Sequence, residues 1–444
     1  MKPTLSRTQL ILFALPALVS VINHAPIAGI IPSLYASSFG LSLTTIASVL
    51  LAVRIFDAVI DPLIGYGSDR TRSRLGRRKP WVIAGTIGSV LAMFFLFRPG
   101  AHAGLAWFLV LMLALQFFWT VMEIPFTAWV LEISRDADER TRLFAYRSAA
   151  TLLGGILFTL APMAIARTGG SMNFEVLGLI AIVMAVAVPL STAAAVRWVP
   201  EGEVGHAQAQ PRLSELWASV RDNRPFQVFV LIYVFIGLAS GISGVLSFMY
   251  LDAYLQIGNR YTEVYLPAVL VGPLSLPVWS WLLRRYDRLR LTAVAFACYA
   301  LAMPLPWFVA PGPGAFVPIM LLSTLLSLFY PLLMITMPGI LGDVIDYDEA
   351  RTGKNRAGQY NAFLTLIAKG TAAVGGPIGL GLVGWFGYQP GAANSESAIQ
   401  ALRVVNNLLP ALLVIPSVLL LWRFPLNAER LKQIRQQLRE RIAA

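Results

Sequence analysis

The sequence is poor in cysteine and in charge, and each shortage excludes a class of protein. Cys298 is the only cysteine among 444 residues, so neither an intramolecular disulfide nor a CxxC metal or redox site can form. Charged residues make up only 13% of the chain, whereas soluble proteins carry about a quarter. Hydrophobic residues make up 57% of the chain and the mean hydropathy is +0.67. A single hydrophobic core cannot bury this much apolar surface, so lipid must be the solvent for most of it.

Long apolar runs divide the chain into twelve candidate membrane spans. A bilayer core of about 30 Å needs roughly 20 apolar residues per helix, and charged or Gly/Pro-rich breaks separate such runs. The turn Pro311-Gly312-Pro313-Gly314 separates spans nine and ten. The predicted spans are 9–38, 42–69, 80–98, 104–133, 142–166, 173–198, 225–254, 261–284, 289–310, 315–343, 357–387 and 399–424.

The basic residues are distributed as in a multi-pass inner-membrane protein. The net charge is +12, but 29 of the 35 Lys and Arg residues lie at the two termini or in alternate segments between spans. This bias predicts that both termini are cytoplasmic, and short basic bursts between apolar runs argue against a nucleic-acid partner. The first apolar stretch is too long for a cleavable signal peptide and indicates a retained span.

The chain also contains an internal repeat. Arg140-x-Arg142-xxx-Tyr146 opens span five, and Lys354-x-Arg356-xxx-Tyr360 opens span eleven 214 residues later. Two duplicated six-helix halves are a transporter architecture with a solute site between them. The fold class predicted is an all-α membrane protein with two pseudo-symmetric bundles. The halves are residues 1–199 and 225–425, with a linker over 200–224 containing an amphipathic helix at Leu213–Val220 and a cytoplasmic tail over 426–444. Because two such halves complete a pathway, we expect a monomer.

Span two carries charges that are costly inside a membrane. Arg54, Asp57 and Asp61 lie at i, i+3 and i+7 and share one face of the helix. If the helix ends near Asp69, a rise of about 1.5 Å per residue puts Asp61 roughly 12 Å and Asp57 roughly 18 Å from that end. Two carboxylates one turn apart repel each other, so either one is protonated or a cation lies between them. The pattern predicts a Na⁺ or H⁺ coupling site, and the alternative is a structural ion pair with Arg54.

Further polar and aromatic residues are candidates for the same machinery. Glu123 in span four adjoins Pro125, which frees backbone oxygens. Lys369 in span eleven is the deep lysine that can supply a positive partner to the acidic residues. Four aromatic side chains were considered for stacking on a solute, with Trp119 preferred: Trp119, Phe126, Trp129 and Tyr360.

At these residues the sequence resembles the glycoside–pentoside–hexuronide:cation symporters of the major facilitator superfamily. The resemblance runs through the segment 54–65 and its continuation 68–81, through Glu123-Ile124-Pro125-Phe126, and through Asp343-Val344-Ile345-Asp346-Tyr347 and Lys369-Gly370. It covers both halves in the expected order, and the span-two motif is long enough to make chance an unlikely explanation.

The resemblance implies roles for individual residues. Asp57, Asp61 and Glu123 would be the carboxylates that hold the cation, Na⁺ if it is a metal. Lys369 would connect that site to the solute, with Arg54 beside it. The sequence departs from the pattern in two places. Glu123 stands where the melibiose permease of this family has Asp, and the sugar-binding Asp of span one is missing. Asn23 and His24 are the nearby polar residues that are candidates to replace it.

Two of the segments predicted to be cytoplasmic mix acidic and basic residues. We expect their charge networks to hold an inner gate closed; the alternative is that they form a solvated surface. They are read as loops over 132–147 and 343–356. The gate candidates, together with the pair after span two, are Asp69, Arg70, Arg140, Arg142, Asp343, Asp346, Arg351 and Arg356.

The predicted function is cation-coupled symport of a sugar-like solute by alternating access, with a coupling ion but no cofactor and no enzymatic activity. A lysophospholipid symporter of the same branch is the nearest alternative. A membrane-embedded prenyltransferase also uses paired aspartates but needs more than one aspartate-rich motif near the interface. A receptor on this scaffold would leave the acidic cluster without a purpose.

Overall fold

The computed structural model describes residues 5–134, 136–164, 172–202, 221, 223–353, 356–426 and 428–443, and every regular element among them is a helix. The predicted linker helix at Leu213–Val220 lies outside the described residues. The helical segments, some with short 3₁₀ or π turns, are α1 (Arg7–Phe39), α2 (Leu43–Arg70), α3 (Lys79–Phe97), α4 (Leu105–Ile133), α5 (Ala137–Ala164), α6 (Phe174–Trp198), α7 (Arg224–Tyr254), α8 (Gly258–Arg285), α9 (Arg288–Phe308), α10 (Pro313–Thr352), α11 (Ala357–Trp385), α12 (Glu396–Trp422) and α13 (Ala428–Ala443).

These segments confirm the predicted all-helical membrane fold. In the described part of the chain, 11 helices are long and apolar enough to cross a membrane, and α1 is a further helix of 33 residues. The proline-glycine turn separates α9 from α10 as predicted. Two boundaries were wrong: α5 begins at Ala137, and α10 continues past residue 343 to Thr352, where Gly353 ends it with a φ of 69°. Glycine adopts this left-handed conformation without steric cost, and helices commonly end on it.

The chain divides into two compact units, one built from α1–α6 and the other from α7–α13, with two short segments (Gly258–Thr262 and Gln389–Ala393) grouped with the first. Within the first unit α1 packs on α5 and α6, and α3 packs on α6. Within the second unit α7 packs on α11 and α12, and α9 packs on α12. The same partners recur six helices later, as the internal repeat predicts.

The core of the first unit contains two aromatic residues that were considered for solute stacking. Trp129 and Phe126 are buried, and Phe126 stacks on Phe13 with ring centroids 4.6 Å apart. The indole nitrogen of Trp129 donates to the Pro200 carbonyl at 3.1 Å. Since protein covers both rings, they hold helices together in this structure and offer no free face to a solute.

Tyr360 has a similar place in the second unit. Its side chain is buried against Phe226 at a centroid distance of 4.6 Å, and its hydroxyl accepts a hydrogen bond from Asn223 at 3.0 Å. The idea that Tyr360 offers a ring face to a solute therefore does not fit this structure. Close packing of α7 on α11 depends on glycine, because a Cβ on Gly375 would lie 2.6 Å from the Leu238 carbonyl oxygen.

Candidate cation-coupling site

The two aspartates of α2 lie near the middle of a helix of 28 residues. At about 1.5 Å per residue, Asp61 is roughly 13 Å and Asp57 roughly 20 Å from the helix end at Arg70. Both side chains are partly buried, whereas Ile55, Val59 and Leu63 of the same helix are exposed. The carboxylates therefore occupy the protein-facing side of a helix whose opposite side suits lipid, at a depth where a charge needs compensation.

The neighbouring helix α4 supplies the polar partners of this pair. The Thr120 hydroxyl lies 3.0 Å from Asp57 Oδ1 and 3.1 Å from Asp61 Oδ1. The Gln116 amide nitrogen donates to Asp57 Oδ1 at 2.8 Å. Both partners are buried. Because one hydroxyl contacts both carboxylates, the two oxygens are within about 6 Å of each other, a range in which like charges interact strongly.

Thr120 alone cannot donate to both carboxylates, although Gln116 also donates to Asp57. A threonine hydroxyl donates one hydrogen and otherwise accepts, so Thr120 can satisfy only one carboxylate at a time. If one carboxyl group is protonated, it donates to Thr120 while Thr120 donates to the other. A cation between the carboxylates relieves the same conflict. Binding of a cation by the two aspartates stays a prediction with which this geometry is compatible.

Arg54 does not supply that charge through a direct ion pair. It lies one turn before Asp57 and is partly buried, yet no salt bridge within 4.0 Å joins it to either aspartate, all three residues being described. The alternative of a structural Arg54–Asp57 pair is therefore not what this structure shows.

Glu123 lies apart from the aspartate pair in its contacts. It forms an ion pair with Arg147 of α5 and accepts a hydrogen bond from Thr127 at 3.2 Å. Thr127 in turn accepts from Arg147 at 3.0 Å. Among the residues that the structure describes, no three Asp, Glu, His or Cys side chains come together as a metal ion requires. In this structure Glu123 pairs with Arg147 instead of joining the two aspartates, and its part in a cation site stays a prediction.

Three of these residues were missed by sequence reasoning: Gln116, Thr120 and Arg147. A signal for the first two was present, since Gln116, Thr120, Glu123 and Thr127 follow one another at helical spacing and form a polar stripe along α4. Arg147 was assigned to the cytoplasmic charge bias, but α5 begins at Ala137 and carries it ten residues into the helix. Its partly buried ion pair with Glu123 reassigns it to the site.

The other predicted site residues are placed as follows. Trp119 is partly buried and packs against the aromatic core of the first unit. Lys369 lies on α11 in the second unit with an exposed side chain, and its link to the carboxylates stays a prediction. Asn23 and His24 belong to α1, and their side chains are outside the described part of the structure.

At the basic end of the first unit, Arg78 connects the ends of α2 and α4 through ion pairs. Its buried guanidinium contacts Asp69 at the end of α2 and Glu132 at the end of α4, each at 2.6 Å. Burial alone would lower the pKa of Arg78, but hydrogen bonds to Glu132 and Asp69 and their charges outweigh it and raise the pKa. Arg70 is exposed and stacks over the Tyr66 ring at 3.9 Å.

The second unit has an ion pair at the corresponding place. Arg288 at the start of α9 pairs with Asp343 of α10, as Arg78 at the start of α3 pairs with Glu132 of α4. The offsets are 210 and 211 residues, close to the 214 of the sequence repeat. Arg435 of α13 adds contacts of 3.0 Å to Asp343 and 3.5 Å to Asp346.

Of the remaining gate candidates, Arg140, Arg142 and Arg351 lie in helices, and Arg356 directly precedes α11. Arg351 and Arg356 approach the buried Asp348 at 3.8 Å each, and Arg142 is exposed on α5. The side chain of Arg140 lies outside the described part. The predicted loops over 132–147 and 343–356 are thus mostly helix ends, because α5 starts early and α10 ends late. A latch between the halves stays a prediction.

Among the described residues, eleven helices suited to cross a membrane, together with α1, form two units with matching helix partners, which is the arrangement of the major facilitator fold. The solved structure of the nucleoside transporter NupG has the same fold, with a TM-score of 0.68 and 14% identity, covering 95% of this chain and 100% of that one.

The chain belongs to the family described as "MFS/sugar transport protein", whose model matches residues 12–428, the group of the glycoside–pentoside–hexuronide:cation symporters. It is 22% identical to the "Glucuronide carrier protein homolog" of Escherichia coli (strain K12), over 90% of this chain and 89% of that protein. It is 23% identical to the "Sodium-dependent lysophosphatidylcholine symporter 1-A" of Danio rerio, over 88% of this chain and 81% of that protein.

Proposed function

We propose that the protein couples entry of Na⁺ or H⁺ to transport of a sugar-like solute, and that Asp57 and Asp61 bind the coupling ion. The observation that carries this proposal is the shared contact of Thr120 with both carboxylates. Two carboxylates this close repel each other when both are ionised, and a bound cation or proton relieves that repulsion. Ion binding thereby lowers the energy of one arrangement of α2 against α4.

Glu123 and Arg147 have a different part in the proposal. Their ion pair keeps the adjacent face of α4 neutral without a transported ion. A pair that holds its own countercharge needs no cation, so we assign coupling to the aspartates and an orienting role to Glu123. Coupling requires that the ion raises the affinity for solute, and by linkage the solute raises the affinity for the ion by the same factor.

A small glycoside, pentoside or hexuronide is the proposed solute. The family description names sugar transport, and a relative is named for a glucuronide carrier. The missing acidic residue of span one argues against a galactoside in particular. A lysophospholipid is the second candidate, because a relative of similar identity is named as a lysophosphatidylcholine symporter. The positive-inside bias supports a cytoplasmic-membrane location with both termini inside.

A ligand panel tests the proposal. Purified protein is heated with glycosides, hexuronides or lysophosphatidylcholine, in sodium buffer and in choline buffer at two pH values, and the unfolding temperature is measured. We expect a glycoside or hexuronide to raise it, since a ligand that binds the folded state stabilises that state. The rise should depend on Na⁺ if sodium is the coupling ion, or on pH if the proton is.

The aspartate assignment has its own control. Asp57→Asn should remove the ion dependence of the ligand shift, whereas Asp252→Asn, which removes an exposed carboxylate from α7, should leave it intact. Stabilisation by lysophosphatidylcholine alone would move the assignment to a lipid symporter. Sugar binding that ignores sodium, pH and Asp57 would contradict coupling through this pair.

A further inference from the structure

A cavity of about 630 Å³ opens between α3 and α6 at their basic ends, away from the carboxylates. Its floor is polar, with the Thr86 and Thr192 hydroxyls 3.3 Å apart across the two helices. Its walls are apolar and include Ile83, Ile87 and Val196. A polar floor within apolar walls, at the end of two membrane-crossing helices, suits an amphiphilic ligand.

The rim of the cavity has an excess of positive charge. Arg74, Lys79 and Arg197 line it, against Glu201 as an acidic residue. Glu201 is engaged by the backbone, since its carboxylate accepts hydrogen bonds from the amides of Arg77 and Arg78.

Arg74 and Arg197 remain available to a ligand, and Lys79 does so in part, since it also feels the charge of Glu201 and lies 5.3 Å from the centre of the Trp129 ring. Arg74 and Arg197 are exposed, and within the described chain neither has an ion-pair or hydrogen-bond partner. Lys79 donates to the Val199 carbonyl at 3.0 Å, which leaves two of its three hydrogens. The cavity therefore combines three cationic groups that no carboxylate neutralises by direct contact.

An apolar surface continues from the cavity toward the middle of the membrane. On α3, Ile87 and Leu91 follow Ile83 at helical spacing and are more than half exposed. On α6, Ile182 and Val186 precede the lining residue Pro189 along the same stripe and are also exposed. Because α3 and α6 pack together, these side chains form a strip about 12 Å or more long beside the cavity.

We propose that this cavity binds the headgroup of an anionic phospholipid, with the acyl chains lying along the exposed strip of α3 and α6. Basic pockets between membrane helices on the cytoplasmic side recognise acidic headgroups, and the charge bias puts this end of the helices on that side. A free anion would use the cations but not the strip, and a zwitterionic lipid would use the strip but gain little from the cations. An anionic lipid uses both.

Native mass spectrometry of the detergent-solubilised full chain tests this site. Phosphatidylglycerol and phosphatidylethanolamine with identical acyl chains are titrated separately, and inorganic phosphate is the probe for a free anion. We expect one saturable phosphatidylglycerol molecule bound at least about tenfold more tightly than phosphatidylethanolamine, given the contribution of each basic side chain near a headgroup.

Variants separate the contributions of charge and groove. Arg74→Gln with Arg197→Gln should weaken phosphatidylglycerol binding about tenfold. Arg284→Gln with Arg285→Gln, the same charge change at the basic end of α8, should not weaken it. Ala193→Trp, which fills the groove without changing charge, should weaken it too.

Three results would overturn the proposal. The first is equal binding of the two lipids, the second is equal loss in both arginine pairs, and the third is displacement of phosphatidylglycerol by millimolar phosphate, which would indicate a free-anion site. Unfolding temperatures measured without lipid verify that each variant is folded, and the Ala193 variant tests the site independently of charge.

Discussion

The ion network around Arg78 provides a stability prediction that can be worked through from contacts. Its side chain is 5% exposed, and its partners are Glu132 at 14% and Asp69 at 35% exposure. Removing one member of a buried pair costs about 3–5 kcal/mol because the partner charge stays buried. Asp69 is exposed enough to be hydrated, so loss of its contact with Arg78 should lower the free energy of unfolding by less than about 1 kcal/mol. Arg77 lies 3.9 Å from Glu132 and retains part of its countercharge, so we expect Arg78→Gln to lower the free energy of unfolding by about 3 kcal/mol, at the lower end of that range.

The assay is thermal unfolding of the purified protein in detergent. For a unit of roughly 200 residues, 1 kcal/mol corresponds to about 2–4 °C, which predicts a decrease of about 10 °C. The unfolding temperature of Arg78→Lys should lie between those of the parent protein and Arg78→Gln, because lysine keeps the charge but lacks the planar guanidinium that reaches two carboxylates. Arg70→Gln is the matched control on the same segment. It loses an exposed cation–π contact and should cost under about 1 kcal/mol.

The pH dependence follows from the direction of the shift. The pKa of Arg78 is raised in the folded protein, so its contribution is fully present below the ordinary arginine pKa and is lost only as the pH rises above it. The difference in unfolding temperature between Arg78→Gln and the parent protein should therefore be the same at about pH 7 as at about pH 9. Equal unfolding temperatures for Arg78→Gln and Arg70→Gln would refute this account of the network.

Three further predictions concern packing and pairing. Glu123→Gln should lower the free energy of unfolding by about 1–2 kcal/mol, because the partly buried Arg147 loses its countercharge but keeps its contact with Thr127, and a double-mutant cycle with Arg147→Gln should show that the two losses are not additive. Gly85→Ala should lower the unfolding temperature because its Cβ would collide with the Met122 backbone, whereas Gly100→Ala has nothing within 4 Å and should be neutral. Ile434→Asp should release α13 from its core contacts and expose the tail to trypsin, while Ile434→Val should not.

The helices were predictable from sequence because the membrane imposes a length and a composition on each of them. The end of α10 was not, since acidic residues at 343–349 resemble a loop when only hydropathy is considered. Helical hydrogen bonding continues through them until Gly353 allows the chain to turn. Polar residues can thus extend a membrane helix into water without any change in secondary structure.

The candidate site was predictable in part. Asp57 and Asp61 stand out because charge is rare in spans, and their common face follows from helical spacing. Thr120 does not stand out, because a threonine in a membrane helix costs little and is common. Which helix faces α2, and in which register, depends on tertiary packing. The separation of Glu123 from the pair depends likewise on Arg147, whose depth followed from where α5 begins.

The most direct test of coupling through Asp57 and Asp61 is uptake into proteoliposomes under an imposed ion gradient. The ligand identified by the stability panel is supplied outside, and an inward Na⁺ gradient or an inward proton gradient is imposed separately. We expect one gradient to drive accumulation above equilibrium in the parent protein and in Asp252→Asn. In Asp57→Asn and Asp61→Asn, accumulation should be lost while exchange of solute across the membrane persists. Gradient-driven accumulation that survives both aspartate substitutions would contradict the account.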